Sequence, residues 1–288
     1  MDGIVIVDKP AGWTSQDVAA RLRRIFGTRR IGHGGTLDPM ATGVLPIFVG
    51  RATRAVEFFE HAEKTYEAVL RLGVTTDTED ITGTVLEQKP VNLTQAQFLE
   101  VLPRFRGEIL QVPPMYSALK VDGKKLYELA RAGKTVERAP RPVAIFELTC
   151  LEFAGETARL RVRCSKGTYI RTLCKDIGEA LGCGGCMEAL RRTAAGDYGI
   201  RDAVALQELL ESEAPGKYLR GVDTMFSRYP AVTLTAAQER RCRNGSAFSV
   251  ELLEGTYRAY GKDGDFLMLA SVRENVMSTV KSFFAVDT

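Results

Sequence analysis

The chain has only two histidines, His33 and His61. Its six cysteines are scattered, and Cys183-Gly-Gly-Cys186, at metal-like spacing, is followed by no second pair. The spacing of these residues offers no obvious four-ligand zinc set, so no metal is expected. No apolar run reaches the roughly 20 residues that span a bilayer. The opening stretch MDGIVIVDKP is too short and too acidic for an export signal. Scattered thiols without such a signal fit a reducing cytosol, so a cytoplasmic location is expected. Strong net charge is missing too: at +3, the chain has no global field to attract a polyanion.

Positive charge is instead local. Arg21, Arg23, Arg24, Arg29 and Arg30 fall within ten residues that contain no acid. Smaller basic groups are Arg159, Arg161, Arg163 and Lys166, then Arg191 and Arg192, then Arg240, Arg241 and Arg243. Such patches suit a phosphate backbone; solvated helix and strand faces are the plainer alternative. With 288 residues, 45% of them hydrophobic, the chain can build one large core or two smaller ones.

Residues 3–7 read as a short buried strand. Thr14 or Ser15 caps a helix carrying Val18, Ala19, Leu22, Ile25 and Phe26 on one face, ended by Gly27. Strict alternation from Thr65 to Gly73 predicts a strand with Tyr66, Ala68, Leu70 and Leu72 on one side. Asn92 to Phe105 reads as a helix, with Thr94-Gln-Ala-Gln97 resembling a capping box. Residues 111–142, rich in Pro, Lys and Arg, read as an excursion from the core. Strands follow at 143–153 and 157–165, the second with Arg159, Arg161 and Arg163 outward. A helix follows Gly167, and another is led by Asp202 through Val204 and Leu209. Residues 213–230 read as a linker. Beyond them, an Asp263-Gly264 hairpin marks a small β-rich domain.

Gly32 to Gly50, GHGGTLDPMATGVLPIFVG, holds one charged residue, Asp38. No Lys-Ser/Thr follows the glycines, so this is not a Walker loop. Leu37 stands where a dinucleotide fingerprint needs its third glycine, so that motif fails as well. Pro39 restricts Asp38 to extended backbone. The carboxylate is presented stiffly beside apolar chain, unless it merely closes an Asx turn or caps a helix. A buried carboxylate needs a positive partner, and Arg171, in Lys-Gly-Thr-Tyr-Ile-Arg171, is the candidate for a bidentate ion pair. Tyr66 and Tyr169 lie on apolar faces, as core packing or as platforms for a base. His33 is either a hydrogen-bonding turn residue or a wedge that takes a base's place in a stack.

Taken together, Asp8-Lys9-Pro10-x-Gly12-x-Thr14-Ser15, Gly32-His-Gly-Gly-Thr-Leu-Asp38-Pro39, Lys64-x-Tyr66, Gly167-Thr-Tyr-Ile-Arg171-x-Leu173 and Leu190-Arg-Arg-Thr193 closely resemble the TruB family of tRNA pseudouridine synthases. The match spans residues 3–200, and Val112-Pro-Pro-x-Tyr116-Ser-Ala-x-Lys120 resembles the family's inserted RNA-gripping element. The tail after about Tyr229 is loosely similar to a PUA-type RNA-binding barrel. The resemblance implies an α+β fold: a mixed, mainly antiparallel sheet flanked by helices, with a catalytic domain at 1–228, its insertion at about 111–142, and a small β-barrel-like PUA-type domain at 229–288.

It also implies the chemistry. Uridine 55 in the T-loop of tRNA becomes pseudouridine by base flipping, cleavage of the N-glycosidic bond and re-attachment through carbon 5, without metal, energy source or organic cofactor. Asp38 would be the essential nucleophile or base. Tyr66 would stack on the target base, and Arg171 would pair with Asp38. Tyr169 and Leu190 would line the pocket, with Val44 and Leu45 beside Leu190 in an apolar wall. His33 would support the flipped loop, and Lys9 and Lys64 would be supporting or backbone-contacting positions. The expected partner is the tRNA T-arm, with no membrane and no obligate protein partner, for a monomer. Two other roles compete: a guide-RNA-dependent subunit modifying ribosomal RNA, and a tRNA-binding or folding-assistance protein. A phosphate-loop nucleotidase is disfavoured by the failed motifs.

Overall fold

The computed structural model describes residues 1–121 and 123–285. The last three residues of the expected 229–288 domain, and Asp122 in the insertion, therefore lie outside the described residues. Local sequence chemistry sets the first helix, Ser15–Ile25. Thr14 Oγ1 accepts from the Asp17 amide at 3.0 Å, and the Asp17 carboxylate accepts from the Thr14 amide at 3.0 Å. This reciprocal cap satisfies amides that would otherwise be orphaned. Val18, Ala19 and Leu22 are buried, and the arginines lie on the other side.

Eight strands form the main path of a ten-stranded sheet. In spatial order they are 204–205, Gly3–Lys9, Thr42–Val49, Gly185–Ala195, Lys64–Leu72, Thr157–Cys164, Arg141–Phe153 and Gly107–Gln111. Two contacts are parallel: 204–205 on Gly3–Lys9, and Gly185–Ala195 on Thr42–Val49. The sheet is thus mixed and mainly antiparallel. The second parallel contact joins only Arg191 to Thr42 and Arg192 to Gly43. Lys64–Leu72 lies at the middle, and its burial alternates: Tyr66, Ala68, Leu70 and Leu72 face the core.

Five further strands, spanning Ala231 to Ser282, make a separate curled half-barrel sheet that includes the hairpin through Asp263-Gly264. This sheet is not held by a loose tether. Leu269 and Phe283 share a core with Ile4, Ile6, Val44, Phe48 and Phe59 from the back of the main sheet.

Three expectations need correction. Residues 213–230 are an ordered connection: the Arg220 and Ile4 backbones exchange two hydrogen bonds of 2.9 Å, and Phe226 is buried between the sheets. Burying such a ring stabilises by about 1.5–3 kcal/mol, which outweighs the turn-forming composition. The helix expected to start at Asp202 runs Leu206–Glu211 instead. Asp202 accepts from the Gly199 amide at 2.8 Å and closes a 3-10 turn, and Arg220 pairs with it at 2.9 Å. The expected 92–105 helix is α-helical only over Gln95–Val101 and then tightens to a 3-10 turn containing Pro103.

Candidate active site

Asp38 sits on the loop joining Ile31–His33 to Thr42–Val49, and both of its neighbours are tied down. The Leu37 amide donates to Ser15 Oγ at 2.8 Å, and Ser15 Oγ lies 3.2 Å from the Leu37 carbonyl. On the other side, the Pro39 carbonyl accepts from the Gly12 amide at 2.8 Å and from Lys9 Nζ at 3.3 Å. Few rotations remain to the backbone that carries the carboxylate.

The Asp38 side chain is 35% exposed, and its partner, Arg171, is only 6% exposed. Arg171 projects from the first turn of the helix Ile170–Ala180. Gln111 holds the start of that helix, donating to the Tyr169 carbonyl at 3.2 Å and accepting from the Tyr169 amide at 3.0 Å. Arg171 Nε meets Asp38 Oδ2 at 2.9 Å. The expected bidentate fork is not formed, because the other nitrogens are committed elsewhere. Nη1 donates to the Thr78 carbonyl at 3.0 Å and lies 3.8 Å from Asp80 Oδ2, and Nη2 donates to the Tyr116 carbonyl at 2.8 Å. The guanidinium therefore joins four segments of chain.

Beneath the loop lies a second arginine. Arg192 is 1% exposed; its Nε donates to the Val44 carbonyl at 2.7 Å and its Nη2 to the Gly35 carbonyl at 3.2 Å. The backbone there is as tight as the side chain. Gly43 has φ +103°, and a Cβ on it would lie 2.1 Å from the Arg192 carbonyl oxygen. Only glycine fits that approach.

Lys9 and Lys64 also turn inward. Lys9, with no exposed surface, donates to the carbonyls of Pro10 at 2.9 Å, Trp13 at 2.6 Å and Pro39 at 3.3 Å. Lys64 donates to the Ala62 carbonyl at 2.6 Å and stands 5.9 Å from the centre of the Phe59 ring. Of the two expected roles, the contacts favour support: Lys9 holds the Pro39 carbonyl of the Asp38 loop, and Lys64, 8% exposed, is turned onto the carbonyl of Ala62. Burial pushes Lys9 down to about 8 against the pull of Asp38, and Arg192 pushes it further. Burial, then Arg192, likewise take Lys64 down to about 8.

Tyr66 is buried, faces Arg192 across the strand pair, and belongs to the core with Leu37, Leu45 and Leu190. Burial raises its phenol above the ordinary value; Arg192 opposes this, and the Asp38 charge adds to it. Tyr169 is half-buried, raised by burial with a contribution from Asp38 and an opposing one from Arg171. His33 is half-buried with Nδ1 unpartnered, and burial followed by Arg192 lowers its affinity for a proton. The structure thus brings Lys9, Tyr66, Tyr169 and Arg171 within reach of the Asp38 charge. Val44 leaves the expected apolar wall: neighbouring strand residues face opposite ways, so Leu45 joins the core under the site while Val44 packs toward the C-terminal sheet.

Two profiles match this chain. The N-terminal domain of the TruB family pseudouridylate synthases matches residues 23–170, more than half of the chain, and the tRNA pseudouridylate synthase B C-terminal domain matches residues 171–224. The chain belongs to the TruB family. A tRNA pseudouridine synthase B from Dechloromonas aromatica (strain RCB) is 48% identical over 265 residues, covering 91% of this chain and 89% of the relative. That of Haemophilus influenzae is 42% identical over 292 residues, covering 98% and 94%. Among solved structures, the TruB-family chain superposes on one in a Cbf5-Nop10-Gar1 complex with a TM-score of 0.73 at 25% identity, over 99% of this chain and 85% of that one. A chain of an H/ACA RNP bound to a substrate RNA containing 2'-deoxyuridine gives the same TM-score at 23% identity, covering 99% and 86%, which speaks for the fold.

Sequence reasoning overlooked several residues of this TruB-family site. Asp80, with a side chain 8% exposed, is held by Thr82 and faces the far side of Arg171. Nothing in its local sequence, Asp-Thr-Glu-Asp80, separates it from a solvated turn. Arg192 reads in the sequence as half of a basic group, but it is buried, and two-residue alternation puts it on the face of Leu190. Arg161 and Arg163 do point outward, but opposite acids take part of their charge: Glu67 at 3.5 Å and Glu63 at 2.6 Å.

Proposed function

We propose that this chain isomerises the uridine at position 55 in the T-loop of tRNA to pseudouridine, and that Asp38 does the chemistry. The observation that carries this is the 2.9 Å pair between a partly exposed Asp38 and a buried Arg171, on a loop anchored at both neighbours. A carboxylate held this way is aimed at one place, as either attack on the sugar or removal of its 2′ proton requires. Names borne by TruB relatives at 42–51% identity point to the same tRNA reaction.

A base inside a folded loop is extruded at a cost of a few kcal/mol. Stacking on Tyr66 returns about 1–3 kcal/mol of this. Tyr169 and Leu190 close the pocket and keep water from the detached base. Exposed Arg21, Arg24, Arg29 and Arg30 hold the tRNA backbone. The division into a catalytic domain at 1–228 and a PUA-type domain at 229–288 belongs to the same proposal, with exposed Arg240 and Arg241 offering the second domain's contact to RNA. The protein acts as a monomer in the cytoplasm; no helix among the described residues is long and apolar enough to cross a membrane.

The test is chromatographic detection of pseudouridine at position 55 in an unmodified tRNA transcript, with no guide RNA added. Conversion is expected. Conversion only with a guide RNA would favour the guide-dependent subunit, and binding without conversion would favour a folding-assistance protein.

A further inference from the structure

Three buried cations lie under the Asp38 loop: Lys9 with no exposed surface, Arg192 at 1% and Lys64 at 8%. Not one has a carboxylate within ion-pairing distance among the described residues, whereas Arg171 has two. Backbone carbonyls solvate them: those of Pro10, Trp13 and Pro39 for Lys9, Ala62 for Lys64, and Val44 and Gly35 for Arg192. Carbonyl dipoles compensate for lost water but leave the net charge in place. Burying uncancelled charge is costly, and a scaffold alone does not require it, since neutral donors serve carbonyls as well.

The cluster is also well placed. Arg192 binds the Gly35 carbonyl at the start of the segment that carries Asp38, and Lys9 binds the Pro39 carbonyl at its end. Tyr66, the proposed platform for the base, pairs directly across the strands with Arg192.

We infer that Lys9, Lys64 and Arg192 stabilise the uracil anion formed when the glycosidic bond breaks. The inference rests on the proposed reaction. In either role of Asp38, the electron pair of the C1′–N1 bond leaves with the base, so negative charge spreads over N1 and the two carbonyl oxygens. After the base turns, carbon 5 gives a pair to C1′, its proton departs, and N1 gains a proton. Atoms and electrons balance without a co-reactant. A preorganised positive site is worth most at the step where that charge appears. Burial has already pushed both lysines down to about 8, so an anion beside them would restore the charge that the fold penalises.

The test compares single-turnover loss of uridine with loss of 5-fluorouridine at the same tRNA position. Fluorine makes the base a better leaving anion, which needs the cations less. Lys64→Gln and Arg192→Gln remove charge but keep an N–H donor. Each is expected to slow uridine about thirtyfold and fluorouridine fivefold or less. Arg192→Lys, which keeps the charge, should slow both substrates equally. Equal slowing of both substrates by the two glutamine variants, or no slowing, would overturn the inference and leave the cations as scaffold. If a melting curve shows Arg192→Gln unfolded, Lys64→Gln decides alone. Wild-type protein inert on uridine strikes the proposed reaction itself, which is a different result from equal slowing.

Discussion

The positive charges of this chain fall into two populations. Around the 33–39 loop, Lys9, Lys64, Arg171 and Arg192 are buried, and each is bound to named carbonyls or carboxylates. At the outer part of the 111–142 excursion and along the first helix, Lys120, Lys124, Lys134, Arg21 and Arg24 are exposed, and no ion pair is formed by any of them among the described residues. Composition treats these groups alike; burial separates them. Cations out of water fix geometry and field, at a desolvation cost that is repaid only if their partners are exact. Cations in water hold a polyanion and release counterions, at almost no cost to folding.

If that division is right, disturbing the two populations should give effects of different kind and size. Gly43→Ala should have the largest effect, because its Cβ would collide with the Arg192 backbone. A loss of at least about 3 kcal/mol in denaturant unfolding is expected. Arg171→Lys keeps the charge but cannot serve Asp38, Thr78 and Tyr116 together. Its single-turnover rate should fall about 100-fold, with tRNA affinity nearly unchanged.

Next in size comes pH. Lys9 and Lys64 have folded values near 8, below the ordinary 10.5, so between these limits the unfolded chain binds more protons. Their contribution to stability should therefore rise from pH about 8 upward, since folding no longer has to bury a charge. Activity should move the opposite way, because a neutral Lys9 has two N–H groups for three carbonyls. Parallel melting and rate profiles would show the divergence. The smallest effect belongs to the exposed group. Arg29→Gln with Arg30→Gln should weaken tRNA binding several-fold and reduce the salt slope by up to about 2, leaving the rate at saturation intact.

The same division explains what the sequence could and could not show. Features written within a few residues were legible: a cap at Thr14 or Ser15, the alternation from Thr65 to Gly73, the Asp263-Gly264 hairpin. The Asp38 loop stood out because one charge lay in a neutral stretch. Asp80 was obscured because what defines it, Arg171, is distant in sequence; alternation shows the face of Arg192 but not its distant partners, Gly35 and Val44. The ordered 213–230 connection was misread for a similar reason: its turn-rich composition is local, but Phe226 is buried by residues from both sheets. The bidentate pair failed because counting charges in sequence does not count the carbonyls that compete for one guanidinium.

Asp38, steered by Arg171, is the group proposed to rearrange a flipped uridine. The most direct measurement is single-turnover tritium release from tRNA labelled at carbon 5 of its uridines, comparing wild type with Asp38→Asn. The amide keeps the shape and loses the charge, so release should vanish while tRNA affinity stays within about tenfold. Release from Asp38→Asn at the wild-type rate would contradict the account.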